Sequence, residues 1–348
     1  GNTYYKDALG PFPFNGTFSY YLVARDYAGG QSRSPADPSA FHTVAVVNCR
    51  TPTPTATHTA TPTPTATRTG TRTPTPTRTL TVTPTAMPAR WEIGPSLLWP
   101  RAWLAAAAID GKVYALGGYH HQLGDASLVE MYDPATGAWS RRADMPLALS
   151  NLSATALGGR IYVAGGYNSS TRSHYDALQI YDPLQNRWTL GRSLPQPRSA
   201  VASAALGGRL YVLGGRAPDG SIVNTCYRYD PATDAWTVIA PLQQARAHAG
   251  AGVANGKLYV LGGLKGTAGV QDNLASVEVY HPGADTWTFA PPLSVGRGGL
   301  GVVGVGERLY AAGGGWQTYL SSVEVFDAGA GTWSNFEPLN FGRYALGL

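Results

Sequence analysis

The chain has 348 residues, of which 43% are hydrophobic and 14% are charged, with a formal net charge of +5. This length leaves room for two or three domains, and the apolar fraction is sufficient for a packed core. Of the 26 basic residues, five arginines fall in residues 50–90, which contain no acidic residue, so that 21 basic and 21 acidic residues remain elsewhere. Because the excess positive charge belongs to one segment, the composition does not indicate a nucleic-acid partner.

Cysteine usage and hydropathy exclude several further classes. Cys49 and Cys226 lie in different segments, so a disulfide between them is not expected, and no Cys-x-x-Cys spacing indicates a metal. No run approaches the roughly 18 apolar residues of a membrane-spanning helix. We therefore predict no metal or other cofactor and no direct membrane insertion. The chain begins with Gly1 and shows no signal peptide, which favours a fragment or processed product of a longer protein.

Residues 1–49 read as the end of a β domain. Two segments rich in aromatic and β-branched residues, 18–24 and 41–47, predict strands, and the Gly-containing segment 25–30 predicts a turn. A Tyr-rich strand, such a turn and a final strand resemble the last strands of an immunoglobulin-like or fibronectin type III sandwich. Forty-nine residues are too few for the roughly 100 residues of that fold, so we predict its C-terminal fragment.

Residues 50–90 form a compositionally distinct linker. From 51 to 85 every odd position is threonine, and prolines between them cannot donate to a β-ladder. With almost nothing apolar to bury, this segment is predicted to be an extended, disordered spacer, either bare or carrying O-linked sugars. Its Thr-Pro pattern resembles the interdomain linkers of bacterial surface and secreted proteins.

Residues 91–348 contain five copies of one pattern with a period near 50, which is typical of a blade array. Each copy has an inner strand of small residues, a second apolar strand, a Gly-Gly pair, a third strand, an aromatic-Asp-Pro-like corner and a tryptophan. The run Ala105–Ala108 alone would suit a helix, but matching positions hold Val and Gly, which favour a strand. The repeated residues are Gly117, Gly118, Gly165, Gly166, Gly214, Gly215, Gly262, Gly263, Gly313, Gly314, Trp139, Trp188, Trp236, Trp287 and Trp333.

These residues resemble the kelch motif over about three quarters of the chain. The resemblance implies an all-β fold, a propeller of four-stranded antiparallel blades. Trp91 lies in phase with the repeated tryptophans, and Arg343 repeats the arginine that opens most copies. We therefore predict five complete blades and parts of a sixth, whose outer strand contains Trp91 and whose inner strand begins at Arg343. The propeller is expected to be monomeric, and Cys226 is expected to fill its core.

Candidate ligand-binding residues fall in the opening arginines and in the loops between the second and third strands, which emerge on one face. Aromatic rings and planar donors around a concave centre suit a carbohydrate or peptide ligand. The arginines have an equally favoured architectural alternative, in which they bond to loop carbonyls. The candidates are Arg101, Arg198, Arg246, Arg297, Tyr119, His120, Tyr167, Arg172, Tyr175, Arg216, Trp316 and Tyr319.

Two enzyme groups also resemble this scaffold. Galactose oxidases hold copper with tyrosine and histidine ligands, but Tyr280-His281 falls on a repeat corner, on the face opposite the variable loops. Sialic acid mutarotases use kelch-ring arginines for the substrate carboxylate, which the opening arginines permit, although no acid–base pair is recognisable. We therefore assign no catalytic residue and predict a noncatalytic, extracellular or cell-surface bacterial module that binds protein or glycan, with a carbohydrate-active enzyme as the alternative.

Overall fold

The computed structural model describes residues 23–27, 41–45, 91, 94–267, 270–316 and 318–347, and every regular element among them is a β-strand. Strands β1 (Val23–Tyr27) and β2 (Phe41–Ala45) pair antiparallel, with Val23 opposite Ala45. Strand β1 extends through residues 25–27, which the sequence assigns to a turn, because they pair with the start of β2. The predicted linker, the Ig-like assignment of 1–49 and Cys49 lie outside the described residues or are not tested by them.

The remaining strands form five repeated units. In chain order, blade 1 contains β3 (Ala105–Ile109), β4 (Lys112–Leu116), β5 (Tyr119–His120), β6 (Gly124–Asp125), β7 (Val129–Asp133) and β8 (Ala138–Arg141). Blade 2 contains β9 (Ser153–Leu157), β10 (Arg160–Ala164), β11 (Tyr167–Asn168), β12 (Ser173–His174), β13 (Leu178–Asp182) and β14 (Arg187–Gly191). Blade 3 contains β15 (Ala202–Leu206), β16 (Arg209–Leu213), β17 (Cys226–Asp230) and β18 (Ala235–Ile239). Blade 4 contains β19 (Gly250–Ala254), β20 (Lys257–Leu261), β21 (Leu264–Thr267), β22 (Val270–Asn273), β23 (Val277–His281) and β24 (Thr286–Ala290). Blade 5 contains β25 (Gly301–Val305), β26 (Arg308–Ala312), β27 (Val323–Asp327) and β28 (Thr332–Phe336).

Each blade is a four-stranded antiparallel sheet in chain order, such as β15-β16-β17-β18, and the pairs β5-β6, β11-β12 and β21-β22 are small hairpins in the loops. Register is the same from blade to blade. The corner aromatic of the third strand lies opposite the tryptophan of the outer strand, as in Tyr229 and Trp236. The predicted kelch propeller and its strand order are thus confirmed.

The inner strands show why small residues are required. Strands β3, β9, β15, β19 and β25 run side by side around a channel of about 320 Å³, lined mainly by Ala, Ser, Val and Gly. A Cβ placed on Gly304 would lie 1.9 Å from the carbonyl oxygen of Val253 in the neighbouring inner strand. Larger side chains therefore cannot be accommodated where the blades converge, and the alanine run of β3 is a strand as predicted.

The hydrophobic core lies in wedges between neighbouring blades. The second strand of each blade is buried on both faces, as in β16, where Leu210, Tyr211 and Val212 are at most 3% exposed. One apolar cluster joins Leu116 of blade 1 to Val163 of blade 2, and equivalent clusters join each later pair. Cys226 belongs to the cluster between blades 3 and 4, and burial raises the pKa of its thiol to about 12. Its role as a core residue accounts for this environment.

A sixth position lies between blades 5 and 1. Trp91 and Leu346 pack together with Tyr310 and Val325 of blade 5 in one buried cluster. On the other side, a Cβ placed on Gly347 would lie 2.6 Å from the Cβ of Ala106 in β3. The tryptophan and residues 343–347 therefore occupy the places of an outer and an inner strand, as the sequence predicts for parts of a sixth blade.

Candidate ligand-binding site

The four candidate arginines lie inside the blades. Arg101, Arg198, Arg246 and Arg297 are each at most 1% exposed. Their guanidinium groups donate to the carbonyl oxygen of the first glycine of the Gly-Gly pair in the same blade, for example from Arg246 Nη1 to Gly262 at 2.7 Å. Because these donors are used within the blade and are sealed from solvent, we leave the four arginines out of the candidate site.

Buried acceptors complete the environment of these arginines. Arg101 pairs with Glu130, Arg246 with Glu278 at 2.6 Å, and Arg297 with Glu324 at 2.5 Å. Burial lowers the pKa of Arg246, while the charge of Glu278 raises it. The glutamates also accept backbone N–H groups from the segment that enters the blade, such as Gln243 N to Glu278 Oε2 at 2.7 Å. Each arginine–glutamate pair thus fixes the connection between two blades.

Blades 2 and 3 depart from this pattern in a consistent way. In blade 2 Leu149 replaces the arginine, and the neutral Gln179 replaces the glutamate and still accepts Leu147 N at 2.8 Å. In blade 3 Arg198 lies 4.4 Å from the ring centroid of Tyr227 and donates to its hydroxyl at 2.6 Å. A buried glutamate occurs where a buried arginine can neutralise it, which supports the architectural alternative for these residues.

The Gly-Gly pairs are required by the contact between successive blades. The first glycine of each pair has φ near +60°, and a Cβ on Gly214 would lie 2.4 Å from the carbonyl oxygen of Arg246 in the next blade. The second glycine donates its N–H to that same carbonyl, as from Gly215 to Arg246 at 2.8 Å. This close contact and its hydrogen bond align the loop that follows each pair with the start of the next blade.

A ring of backbone hydrogen bonds surrounds the end of the axis on this face. Six residues, each two positions after an opening-arginine position, have φ between +50° and +62°. Each backbone N–H donates to the carbonyl oxygen of its equivalent one blade earlier, at 2.7–2.9 Å, from Asn151 onward. The members of this axial ring are Trp103, Asn151, Ala200, His248, Gly299 and Ala345. They line a cavity of about 100 Å³ at the mouth of the central channel.

A second layer of residues surrounds the axial ring. In blades 1 to 4 the residue that follows the Gly-Gly pair forms an antiparallel bridge to the residue just before the axial-ring position, for example Tyr119 with Ala102 and Arg216 with Ser199. Three of the sequence-predicted candidates, Tyr119, Tyr167 and Arg216, are thereby brought to equivalent places around one mouth. Their side chains are all partly exposed.

Aromatic rings occupy one side of the mouth. The ring of Trp316 lies 5.1 Å from that of Tyr344 at 81° and 5.7 Å from that of His248. Tyr319 stacks on Tyr344 at 6.1 Å and 22° and is 40% exposed. On blade 1, Trp103 meets Tyr119 at 6.1 Å. We call these six residues, which span blades 4 and 5, the sixth position and blade 1, the aromatic arc.

One glycine and one amide position two members of the aromatic arc. A Cβ on Gly299 would lie 2.4 Å from the Tyr344 ring, so the ring fits only against a glycine. Asn273 Oδ1 accepts the backbone N–H groups of Gly298 at 2.8 Å and of Trp316 at 3.3 Å. Because the amide links blade 4 to the loop that carries Trp316, the indole is positioned before any ligand arrives.

The opposite side of the mouth is mainly polar, although the ring of Tyr167 also lies there, 5.0 Å from that of His174. It contains Asn151 and His174 from blade 2 and Arg216 from blade 3, which we call the polar arc. The Arg216 guanidinium donates to Gly220 O at 2.8 Å, and its remaining donors have no other hydrogen bond among the described residues. Burial lowers the pKa of His174, and the Arg216 charge adds to this effect. Burial and then Arg216 lower the pKa of His248 to about 4, so both imidazoles are neutral at pH 7.

Three further candidates lie elsewhere on the loops. His120 is 3% exposed, packs on Trp99 at 5.6 Å, and accepts backbone N–H groups from residues 122 and 123 at its Nδ1. Arg172 is exposed in the turn of the β11–β12 hairpin. Tyr175 forms a backbone bridge with Arg198 and packs on the core cluster of blades 1 and 2. Within the described residues, these three make none of the contacts that define the mouth.

Sequence reasoning missed Trp103, Asn151 and Tyr344. The signal that identifies the axial ring is a constant offset of two residues from the opening-arginine position, but five different residue types occupy the six positions at that offset. Among the described residues there is no group of three or more His, Cys, Asp or Glu side chains arranged to hold a metal. Over the same part of the chain, no helix has the length and apolarity required to cross a bilayer.

Comparison with known proteins identifies the family. The model of the KLHDC2/KLHL20/DRC7 Kelch-repeats domain matches residues 90–245 and, in a second overlapping match, residues 151–343. Human Kelch repeat and BTB domain-containing protein 13 is 48% identical over 56 residues, which cover 16% of this chain and 12% of that protein. Mouse Kelch-like protein 1 is 55% identical over 38 residues, 11% of this chain and 5% of that protein. The chain therefore spans only a small part of either relative.

Among solved structures, that of YjhT superimposes with a TM-score of 0.64 at 18% sequence identity, covering 73% of this chain and 89% of that one. At this identity the likeness concerns the fold alone. It agrees with the propeller fold described above. From the repeated Gly-Gly, corner and tryptophan positions and from the family matches across more than half of its length, the chain belongs to the kelch-repeat family of β-propellers.

Proposed function

We propose that this chain is a noncatalytic recognition module that binds a protein or glycan ligand at the mouth of the propeller axis. The kelch propeller supports a protein-interaction module or a scaffold. The observation that carries the proposal is the contrast between two sets of equivalent positions. Opening arginines, Gly-Gly pairs and tryptophans repeat because they join the blades, whereas the axial-ring positions hold Trp, Asn, Ala, His, Gly and Ala in turn.

The physical character of the mouth supports this assignment. Aromatic side chains provide large contact areas with little conformational entropy to lose, and two members of the arc are held in advance, Tyr344 against Gly299 and the backbone of Trp316 by Asn273. Arg216 adds one guanidinium with free donors, which suits a carbonyl, hydroxyl or carboxylate group on a ligand. A concave, largely apolar site with a few placed polar groups is the usual form of a binding pocket.

The proposal is tested by presenting the protein to a glycan array and to a displayed peptide library. Ligands of the mouth are expected to lose at least about tenfold in affinity with Tyr119→Ala or Arg216→Gln, since interface anchors of these types contribute about 2 kcal/mol or more. Arg187→Gln and Phe289→Ala, both exposed on outer strands, serve as matched controls. Ligands that respond to neither mouth variant would refute the assignment, and turnover of a bound sugar would replace it by the carbohydrate-active alternative.

We also propose an extracellular or cell-surface setting in a bacterium, on the basis of the Thr-Pro pattern of residues 50–90. A protein displayed in this way is accessible to a protease added to intact cells. Cleavage of the chain in intact host cells is therefore expected, and protection until the cells are lysed would contradict the proposal.

A further inference from the structure

The two arcs of the mouth differ in chemistry, and this difference restricts the ligand. Reading around the axial ring, the aromatic arc runs through blade 4, blade 5, the sixth position and blade 1, and the polar arc lies in blades 2 and 3, beside the ring of Tyr167. An apolar group of rings thus stands opposite amide, imidazole and guanidinium groups around the mouth, where Trp103, Asn151 and His248 line a cavity of about 100 Å³.

The aromatic arc presents ring faces without a charge of its own. Tyr319 is 40% exposed, and its ring is nearly parallel to that of Tyr344 beneath it. Trp316 stands at 81° to the buried Tyr344, to which Tyr319 is nearly parallel, so the rings of Trp316 and Tyr319 border a corner rather than a flat surface. Ring faces are electron-rich and favour C–H groups and other apolar surface. The positive charge of Arg216 in the adjacent blade disfavours a cationic group in this corner.

The polar arc provides planar hydrogen-bonding groups. His174 is held neutral, as is His248 at the adjoining end of the aromatic arc, so each keeps one donor and one acceptor nitrogen. Arg216 has donors only, and the Asn151 amide has both kinds of group, with its Nδ2 donating to Ser150 Oγ at 3.3 Å. Groups that can both donate and accept match hydroxyl groups, which also do both.

From this geometry we infer that the ligand of the mouth is a glycan, bound through one pyranose ring. The C–H face of the sugar stacks in the corner of Trp316 and Tyr319, and its hydroxyl edge bonds to Asn151, His174 and Arg216. A pyranose has an apolar face and a hydroxyl edge on one small rigid ring, which is the combination that the two arcs require. A peptide of equal size offers amide groups along its backbone and places its apolar groups on flexible side chains. This inference rests on the proposed function and narrows it to one ligand class.

The test begins with the glycan array and continues with calorimetric titration of a neutral hexasaccharide, cellohexaose, and an acidic one, hexagalacturonate. The array is expected to yield at least one glycan whose affinity falls about tenfold or more with Trp316→Ala and with Tyr319→Ala. Trp316→Phe is expected to restore part of the loss, because it restores a ring face. Phe289→Ala, on an exposed outer strand, is the matched control and is expected to have no effect.

Comparison of the two hexasaccharides shows whether the mouth prefers a neutral or an acidic sugar. If the acidic sugar binds more tightly, Arg216→Gln is expected to abolish the difference in affinity between the two sugars. If only neutral sugars bind, the same variant removes a hydrogen bond without changing charge selectivity. Thermal unfolding of each variant shows whether the propeller is intact. If Trp316→Ala does not fold, Tyr319→Ala still tests the inference, because it alters an exposed side chain.

Failure of this inference is distinct from failure of the proposed function. Absence of any glycan that depends on Trp316 or Tyr319, with a displayed peptide that does depend on Arg216 or Tyr119, overturns the glycan assignment and leaves a peptide-recognition module. Absence of any ligand that depends on the mouth overturns both.

Discussion

The indole Nε1 of Trp91 donates a hydrogen bond of 2.8 Å to the carbonyl oxygen of Glu337, which lies 246 positions later in the chain. The repeated tryptophans make the same bond to the preceding blade over 42 to 47 positions, as Trp236 does to Arg192 at 2.8 Å. Trp91 therefore makes with blade 5 the same hydrogen bond that each repeated tryptophan makes with the blade before it. The N-terminal end of the propeller is joined to its C-terminal end by the contact that joins all the others.

Removal of this bond is expected to destabilise the propeller as much as removal of an internal one. Trp91→Phe keeps an aromatic ring and deletes the donor, so the free energy of unfolding is expected to fall by about 1 kcal/mol. Trp91→Ala also empties a buried site and is expected to lower it by about 3–5 kcal/mol. Chemical denaturation measures both, with Trp236→Phe as the matched control. A neutral Trp91→Phe beside a destabilised Trp236→Phe would show that the junction does not contribute to stability.

The Gly-Gly pairs predict a sharp difference between glycines of similar backbone conformation. Gly214 has φ of +61°, and an added Cβ would lie 2.4 Å from a backbone oxygen, whereas Gly208 has φ of +73° and has no atom within 4 Å of that position. Gly208→Ala is expected to lower the free energy of unfolding by about 1–2 kcal/mol, the conformational penalty alone. Gly214→Ala adds displacement of the next blade and is expected to exceed about 4 kcal/mol. Equal effects of the two substitutions would contradict the proposed role of the close contact between Gly214 and the next blade.

The period of the sequence was sufficient to predict the fold. Alternation and burial follow from the repeat, so that the run Ala105–Ala108 could be placed in a strand by its equivalents despite its helical propensity. The phase of Trp91 and Arg343 likewise placed them in a sixth position. Such inferences succeed because all five copies adopt the same backbone geometry. The sequence of each copy is therefore independent evidence for the strands of the others.

Comparison of the five copies is less informative about the candidate site. A repeated arginine indicates a common role, but its buried partners, such as Glu130 and Glu324, follow at offsets of 29 and 27 residues because loop lengths vary. The axial ring was missed for the opposite reason, since its offset is constant while its residue types differ. The loop candidates Tyr119, Tyr167 and Arg216 do converge, because the Gly-Gly pair ahead of each fixes where the loop begins. Their part in binding stays a prediction.

The buried ion pairs predict a compensating double substitution. Arg297→Leu leaves the carboxylate of Glu324 buried without its partner and is expected to lower the free energy of unfolding by about 3–5 kcal/mol. Adding Glu324→Gln reproduces the Leu149 and Gln179 pair of blade 2, in which the glutamine still accepts a backbone N–H at 2.8 Å. The double variant is expected to lie within about 2 kcal/mol of the parent protein. Denaturation of the two variants checks this, and a double variant less stable than Arg297→Leu alone would contradict the assigned role of the glutamate.

His248 predicts a loss of stability in acid. Burial, with a smaller effect of the Arg216 charge, lowers the pKa of His248 in the folded protein to about 4, whereas an unfolded histidine titrates near 6.5. Between these values the unfolded chain binds a proton that the folded protein does not, so the free energy of unfolding falls as the pH decreases from about 6.5 to about 4. For this partly exposed ring the expected loss is about 1–3 kcal/mol.

The histidine itself is isolated by comparing the parent protein with His248→Gln. Denaturation at pH 7.5 and at pH 4.5 gives the loss for each, and the loss is expected to be smaller in the variant by the contribution of this one group. The pKa values of His120 and His174 are also lowered by burial, so a residual acid dependence persists in the variant. An unchanged loss would mean that the imidazole is protonated within the folded mouth. At pH 4.5 a cationic ring would then stand beside Trp316, and at that pH the corner would no longer present the uncharged surface on which the proposed sugar stacks.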